Sequence, residues 1–173
     1  MKNNNFDISI IRPRMDEKEV KQRGQASSER RLAAIRKGLL ALHTLELMAQ
    51  TIYKFQITKE PSELNRKLIA AMCNEMTHYQ DFQVKLYEYN FKPSLFRAAY
   101  WLVGFVMGYT SRRRGTKAIL KTGIWVETKA VSHYKKLLET IEWDEDTRAI
   151  IEKDQADEQG HIENWKKMLE RNS

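Results

Sequence analysis

The sequence predicts an all-α protein: an antiparallel four-helix bundle with a short extra apolar helix between its two helical hairpins. Three observations support this prediction. Apolar residues recur at the spacing of amphipathic helices over four long stretches. The 173 residues include only three prolines and seven glycines, so the chain has few breaks. The helical pattern falls into two halves, which are separated by the apolar segment 95–109.

Four long helices and one short apolar segment account for most of the chain. The first helix follows a pair of candidate N-caps, Ser27 and Ser28, and the last follows a candidate N-cap at Asp144. The expected bounds of the four long helices are about 28–57, 62–90, 116–141 and 144–171. Residues 1–26 are polar and aperiodic, so we predict an N-terminal tail or arm before a bundle of residues 27–173.

Composition restricts the classes of protein to consider. The chain is long enough for one sizeable core. Its single cysteine, Cys73, excludes an internal disulfide and a cysteine-based zinc site, and we predict a packed core thiol there. The net charge of +7 indicates an anionic partner, either nucleic acid or a membrane surface. No apolar run approaches the ~20 residues of a membrane-spanning helix, and no signal or transit peptide is evident.

An internal repeat is the most informative pattern in the sequence. Each half contains a Glu, a Tyr seven residues later, and a Glu-x-x-His on its second helix. In the first half these residues are Glu46, Tyr53, Glu75 and His78. In the second half they are Glu127, Tyr134, Glu158 and His161. Residues three or seven apart share a helix face, so two facing hairpins would bring four carboxylates and two imidazoles together.

Such a cluster is typical of a metal centre. Four carboxylates in a dry core could not all remain ionised without bound cations. A Glu from each of two helices and a Glu-x-x-His from each of the others is the ligand set of di-iron and di-manganese bundles. Asn74 and Asp157 precede the two motifs, and we predict that Asp157 orients His78 and that Asn74 orients His161. A capping or solvated role for these two residues is the alternative.

Three further stretches resemble one known family. They are HTLELMAQTIYKFQ (43–56), KPSLFRAAYWLVGFVMGY (92–109) and VETKAVSHY (126–134). With the ligand pattern, they resemble the demethoxyubiquinone hydroxylase family of coenzyme Q biosynthesis, within the ferritin-like di-iron superfamily. The resemblance covers about residues 28–165. It departs from the family at Leu45, where the family usually has Gly, and at residues 111–114, Ser-Arg-Arg-Arg.

The resemblance implies a ferritin-like di-iron monooxygenase. It implies that Glu46 and Glu127 are terminal ligands, that Glu75 and Glu158 bridge, and that His78 and His161 each bind one iron. The implied reaction is O2-dependent hydroxylation of a demethoxyubiquinone-type polyprenyl benzoquinone, with an unidentified electron donor. Manganese is left open as the metal. Tyr53 and Tyr134 are candidate catalytic residues that gate protons or electrons, with core packing as the alternative. His133 is left open between a proton relay and a structural histidine.

A polyprenyl substrate remains in the membrane, so the enzyme must reach the membrane surface. The segment 95–109 is too short to span a bilayer, and we predict that it is an interfacial anchor. Leu95, Trp101 and Phe105 would contact lipid or substrate, and Arg112, Arg113 and Arg114 would lie near anionic headgroups. The expected location is peripheral, on the cytoplasmic face of a bacterial-type inner membrane. A buried helix or a homodimer interface is the alternative.

Other functions remain open at this point. A ferritin-like oxidase or peroxidase of the rubrerythrin kind would use the same ligands, and so would an iron-storage protein. A tRNA-modifying di-iron hydroxylase would suit the positive charge. The apolar segment favours the quinone hydroxylase and speaks against a nucleic-acid partner, because neither tRNA modification nor iron storage needs such a surface.

Overall fold

The computed structural model describes residues 16–172, which are helical almost throughout. Five α-helices follow a short 3-10 helix, Glu17–Glu19. They are α1 Glu29–Gln56, α2 Glu63–Glu88, α3 Arg97–Arg113, α4 Thr116–Thr140 and α5 Glu145–Arg171. The predicted four long helices and the extra apolar helix are confirmed, and the fold is a ferritin-like helical bundle.

Local sequence explains where the long helices begin. Ser28 and Ser62 occupy the N-cap positions of α1 and α2, and their side chains accept hydrogen bonds from backbone N–H groups three residues later. Asp144 is the N-cap residue of α5. The connections α1–α2 and α4–α5 are short, so each pair forms an antiparallel hairpin.

The core consists of apolar layers on either side of the bundle centre. One layer lies towards the start of α1 and includes Ile35, Leu39 and Phe82. Another lies towards the end of α1 and includes Leu68, Leu120 and Trp165. The polar residues of the internal repeat lie between these layers, so water is excluded from both sides of the site.

Helix α3 packs along α1 through two glycines. A Cβ atom at Gly104 would lie 2.7 Å from the backbone oxygen of Met48, and one at Gly108 would lie 2.5 Å from that of Ile52. Ser111 is buried on the same side, where its hydroxyl accepts a hydrogen bond from Gln56. Close backbone contact therefore fixes one face of α3 and leaves the opposite face outward.

The segment before α1 is attached to the bundle at a buried ion-pair cluster. The backbone N–H of Lys21 donates to Glu88 Oε1 at 2.8 Å, and Arg23 Nε lies 2.6 Å from Glu88 Oε2. The guanidinium of Arg23 also contacts Asp144 and Asp146 at the start of α5. Within the predicted 1–26 tail, the described part is thus docked. Residues 1–15 lie outside the described residues, and the predicted domain boundary stays a prediction.

One local expectation from the sequence is wrong. Cys73 is exposed rather than packed in the core, because its position on α2 faces away from the partner helices. Trp143 and Trp165 are buried, whereas Trp125 is about half exposed at 52%. None of the helices in residues 16–172 has the length and apolarity needed to cross a bilayer.

Candidate metal centre

The four glutamates and two histidines of the internal repeat converge at the centre of the bundle. All six side chains are buried, and the most exposed residue, His161, retains 8% of its accessible surface. One carboxylate comes from α1 and one from α4, while α2 and α5 each contribute a Glu-x-x-His pair. Because each helix turns one face inward at the same height, the two hairpins close around a single polar cluster.

The cluster consists of two overlapping groups of potential ligands. The first contains Glu46, Glu75, His78 and Glu158. The second contains Glu75, Glu127, Glu158 and His161. Within each group, one ligand atom per residue lies within 4.8 Å of the others. Glu75 and Glu158 belong to both groups, which is the position that a bridging carboxylate requires.

Both imidazoles turn Nδ1 towards the carboxylates. His78 Nδ1 lies 3.1 Å from Glu158 Oε1, and His161 Nδ1 lies 3.2 Å from Glu75 Oε1. The Nε2 atoms point the other way: that of His78 is 3.3 Å from Asp157 Oδ2, and that of His161 is 3.2 Å from Asn74 Nδ2. The structure therefore brings Asp157 to His78 and Asn74 to His161.

The two tyrosines pair across the halves of the repeat. Tyr134 on α4 donates to Glu46 Oε1 on α1 at 2.6 Å, and Tyr53 on α1 donates to Glu127 on α4. Trp165 Nε1 donates to the Tyr53 hydroxyl at 3.1 Å. Burial, followed by nearby carboxylate charge, raises the pKa of both tyrosines well above the ordinary range. Both phenols therefore stay protonated, and each keeps one oxygen of its partner carboxylate, Glu127 or Glu46, occupied.

Electrostatics indicate that the cluster needs positive charge. Burial raises the pKa of Glu75 well above its usual range, and the charges of Glu158 and Glu127 raise it further. Burial, followed by the charge of Glu158, raises the pKa of Glu127 to about 8. Burial alone would lower the pKa of His78, but Glu158 and Glu46 raise it to about 11. Without metal, the cluster retains protons that bound cations would replace.

The donor set fits two oxygen-preferring divalent metal ions. Both carboxylate oxygens of Glu75 and one oxygen each of Glu127 and Glu158 accept no hydrogen bond from residues 16–172. A buried carboxylate oxygen without a donor is costly unless a cation lies beside it. Carboxylates with two imidazoles suit iron or manganese.

One acidic residue beside the site was missed in the sequence. Asp154 is completely buried on α5, and its Oδ1 atom lies 3.7 Å from His78 Nε2. Opposing effects act on Asp154: burial favours the protonated form and the His78 charge disfavours it, with a net rise of its pKa to about 6. Its position four residues before Glu158, on the same helix face, was the signal that could have identified it.

An apolar pocket of about 300 Å³ lies between α1 and α4 and reaches the potential metal ligands Glu46 and Glu75. Its walls are mainly apolar, and the remaining lining residues are Leu45, Met48, Ala49, Trp125, Val126, Lys129, Ala130 and His133. His133 Nε2 is buried and has no hydrogen-bond partner among the described residues. The pocket thus combines apolar walls, one unpaired imidazole nitrogen and direct access to two carboxylates.

The residues predicted to contact the membrane lie on α3 or just before it, and they differ in how exposed they are. Leu95, just before the helix, is 95% exposed. Trp101 is 42% exposed and stacks on Phe105, whose ring contacts Phe55 of α1 edge-on at 4.7 Å. The outermost apolar side chains of α3 are Leu102, Val103, Val106 and Tyr109, each about half exposed.

Comparison with known proteins identifies the family. The family described as "Ubiquinone biosynthesis protein COQ7" matches residues 33–169, a range that includes all six potential ligands. The chain belongs to the COQ7 family. The resemblance seen in the sequence is therefore confirmed.

Curated relatives of this COQ7-family chain have related names. The chain is 27% identical over 121 residues to a 3-demethoxyubiquinol 3-hydroxylase of Legionella pneumophila (strain Paris), a match covering 69% of this chain and 57% of the relative. It is 29% identical over 124 residues to one of Paracidovorax citrulli, covering 70% and 60%. It is 27% identical over 125 residues to the "NADPH-dependent 3-demethoxyubiquinone 3-hydroxylase, mitochondrial" of Dictyostelium discoideum, covering 69% and 58%. The chain thus spans less than two thirds of the length of these relatives.

Proposed function

We propose that the chain is a di-iron monooxygenase that uses O2 to hydroxylate a demethoxyubiquinone-type polyprenyl benzoquinone ring at a membrane surface. The observation that carries this proposal is the apolar pocket that ends at Glu46 and Glu75. A storage protein or a nucleic-acid-modifying enzyme would not need a mainly apolar pocket leading to the metal ligands. The names of the relatives supply the class of substrate.

The six convergent side chains would hold the metal pair. Glu46 and His78 would hold one iron, Glu127 and His161 would hold the other, and Glu75 and Glu158 would lie between them. The iron pair would supply the two electrons that activate O2, and one atom of O2 would enter the ring while the other leaves as water. Manganese stays open as the metal, because the same oxygen-rich donor set accepts both ions.

The chain's own side chains would prepare this centre. Tyr53 and Tyr134 would orient the terminal carboxylates Glu127 and Glu46 through the hydrogen bonds that their protonated hydroxyls donate. Asp157 would hold the ring of His78 so that Nδ1 faces the metal. The apolar layers above and below the cluster would exclude water from the reaction.

The pocket would bind the ring by its faces and edges. Leu45, Ala49 and Val126 would contact the apolar faces of the ring. The unpaired Nε2 atom of His133 would form a hydrogen bond with a ring oxygen, which would otherwise lose its hydrogen bonds to water. The volume of about 300 Å³ lies at the lower end of ligand pockets, so it would admit the ring and leave the polyprenyl tail outside.

The outer face of α3 would place this pocket at the lipid surface. Leu102, Val106 and Tyr109 expose an apolar strip on a helix whose other face is fixed to α1. Arg113 and Arg114 are exposed at the end of the same helix, where anionic headgroups would attract them. Met107, on the flank of α3, packs against Ala49 and Val126 of the pocket wall, so the lipid-facing helix and the pocket are neighbours.

The proposal is tested by single-turnover hydroxylation. The purified chain is loaded with Fe²⁺ without oxygen, mixed with a short-chain demethoxyquinol and then exposed to O2, with products analysed by mass spectrometry. We expect a product with one additional oxygen atom, which carries ¹⁸O when ¹⁸O2 is supplied. NADPH is the first reductant to test for multiple turnovers, since the name of the Dictyostelium relative specifies it.

Two controls make the result specific. Glu75→Ala removes a ligand shared by both groups, so it should abolish product and lower the bound iron. Glu163→Gln changes an exposed acid on α5 and should leave both unchanged. Iron loading and O2 consumption without an oxygenated quinone would reject the named substrate and favour a different di-iron oxidase.

A further inference from the structure

A second group of acidic side chains lies outside the central cluster, on the His78 side between α2 and α5. One ligand atom each from His78, Asp154 and Asp157 lies within 4.8 Å of the others. Asp157 is about half exposed at its side chain, at 46%, whereas Asp154 is buried. The group therefore extends from the protein surface to the outer nitrogen of a proposed metal ligand.

Asp154 carries an unsatisfied oxygen within this group. Its side chain is fully buried, and its Oδ2 atom accepts no hydrogen bond from any described residue. A buried carboxylate oxygen normally has a donor or a cation beside it. The unpaired Oδ2 atom of Asp154 therefore indicates a bound cation outside the two central groups of potential ligands.

The ammonium group of Lys153 already lies at the outer edge of the group. Lys153 Nζ is 2.6 Å from Asp154 Oδ1 and 3.4 Å from Asp81 Oδ2. The Lys153 side chain is 55% exposed, so its flexible stem can turn into solvent. Asp81 is only partly exposed, at 28% of its side chain. An arriving divalent cation would meet the same oxygens that the ammonium group now contacts.

The internal repeat supplies a natural comparison for this acidic path. Aligning the two Glu-x-x-His motifs gives the positions in the other half that correspond to Asp81, Asp154 and Asp157. Those residues are Asn164, Ala71 and Asn74, respectively. The position corresponding to Lys153 is Ala70. All three acids and their lysine therefore occur on the His78 side alone, although the central ligands are the same in both halves.

We propose that Asp81, Asp154 and Asp157 form a transient entry site that captures Fe²⁺ from solvent and passes it to the central cluster beside His78. Lys153 occupies this site in the metal-free protein, and its ammonium group moves aside when the divalent ion binds. Carboxylate oxygens are suitable ligands for a hydrated Fe²⁺ ion, and a negative path raises the local concentration of cations. The inference rests on the proposed function in one respect, namely that the central cluster binds metal.

The test measures the rate of metal loading and uses Co²⁺ as a spectroscopic probe. The metal-free 173-residue chain is mixed with Co²⁺ in a stopped-flow instrument, and the visible absorption of bound Co²⁺ is followed. Asp81→Asn should slow loading by about tenfold at low salt, with a smaller effect at high salt, because an attractive charge at the entrance is lost. The final number of bound ions should be unchanged, since Asp81 lies outside both central groups.

Two further variants separate this role from a general effect of charge. Lys153→Met should load faster than the unmodified chain, because no ammonium group competes for Asp154. Glu163→Gln removes one exposed negative charge from α5 away from the path and should load at the original rate. Circular dichroism and the melting temperature establish that each variant keeps its fold.

Distinct outcomes overturn the inference and the proposed function. Equal loading rates for the unmodified chain, Asp81→Asn and Lys153→Met would refute the entry site while leaving the central metal centre intact. A lower final stoichiometry in Asp81→Asn without a slower rate would also refute it. A chain that binds no Co²⁺, Fe²⁺ or Mn²⁺ at all would refute both the central site and the entry site.

Discussion

At the residue scale, the side chain of Leu45 limits the space inside the apolar pocket. It precedes the candidate ligand Glu46 and lines the pocket. Leu45 stands where the family resembled by the sequence usually has Gly. A leucine side chain there takes space that a ring substituent could otherwise occupy. The identity of this one residue therefore affects which quinone ring can approach the ligands.

We expect Leu45→Ala to shift ring preference towards larger substituents. The ratio of Kd values for a compact and a more substituted short-chain quinone should change by at least about tenfold, because a single methylene group in an apolar pocket contributes about 1–3 kcal/mol. Trp125 lines the same pocket, so quenching of its fluorescence would report binding. Alanine avoids the cost of about 1 kcal/mol that glycine adds inside a helix.

Leu47→Ala is the matched control for this prediction. Leu47 lies on the same helix but does not line the pocket, so its replacement should leave the ratio unchanged. Equal shifts in both variants would show that the effect comes from altered packing of α1. No shift in Leu45→Ala would show that Leu45 does not limit the ring.

The convergence of the six candidate ligands could be predicted from the sequence because their spacing repeats. That they bind metal stays a prediction. Glu75 and His78 must share a helix face whatever the tertiary structure, and the second half provides the same pair again. The partners of Tyr53 and Tyr134 could not be predicted in this way. Each tyrosine meets the glutamate of the opposite half, and that pairing depends on how α1 and α4 approach each other.

At the element scale, Gly108 controls how α3 is attached. A Cβ atom at this position would lie 2.5 Å from the backbone oxygen of Ile52, which cannot move without displacing α1. We expect Gly108→Ala to lower the free energy of unfolding by about 2 kcal/mol through overpacking. Denaturation with urea would measure the change.

Gly160→Ala provides the comparison for a helical glycine without close neighbours. A Cβ atom at Gly160 would meet nothing within 4 Å. Alanine should therefore stabilise α5 by up to about 1 kcal/mol through its better helix propensity. A neutral or stabilising result for Gly108→Ala would mean that α3 shifts easily and is not held by close contact with α1.

Arg23 attaches the segment before α1 to α2 and α5 of the bundle. The Arg23 side chain is only 10% exposed and pairs with Glu88, which is 2% exposed. Arg23→Met removes charged hydrogen bonds from Glu88 and Asp146, while Lys85 still pairs with Glu88 at 2.8 Å. The free energy of unfolding should therefore fall by about 2 kcal/mol rather than by the full cost of an unpaired buried charge. Arg171→Met, which removes an exposed pair with Glu63 at 3.8 Å, should cost less than about 1 kcal/mol.

The effect of Arg23→Met should depend on pH with a definite sign. Burial alone would raise the pKa of Glu88 and Asp146, but hydrogen bonds from Lys85, Lys21 and Arg23 lower both below their ordinary values. Lowered folded-state pKa values stabilise the protein above the unfolded pKa of about 4 and lose that effect as pH falls further. The difference between the two proteins should therefore be largest above about pH 5 and shrink towards pH 2. A difference that grows on acidification would contradict this account.

The helices themselves could be predicted because apolar periodicity, caps and few glycines agree along the chain. The docking of residues 16–26 could not, because Lys21 and Arg23 pair with acids that lie far away in the sequence. Cys73 was misjudged for a related reason. A helix position next to a buried ligand can still face outward, since successive residues are about 100° apart.

At the scale of the whole molecule, the outer face of α3 forms an exposed apolar strip on the bundle of described residues. Four long helices bury their apolar faces against one another, whereas α3 packs on α1 and contacts α4 but exposes Leu102 and Val106 on its outer face. The net charge is +7, and Arg113 and Arg114 lie at the end of this surface. Apolar side chains with adjacent positive charge are the combination expected for an anionic lipid surface.

We expect Leu102→Ser combined with Val106→Ser to weaken binding to lipid vesicles by at least about tenfold, because two half-exposed aliphatic side chains no longer enter the interface. Sedimentation with phosphatidylcholine vesicles, with and without phosphatidylglycerol, would measure it, and anionic lipid should strengthen binding by the unmodified chain. Ile69→Ser combined with Met76→Ser is the matched control, since these α2 residues are exposed to a similar degree, 45% and 42%, but lie away from α3. The same binding by all three proteins, each with an intact fold, would exclude α3 as the membrane-binding surface. Loss of binding in the α3 variant alone, with normal loading of metal, would show that lipid docking and metal binding use separate parts of one bundle.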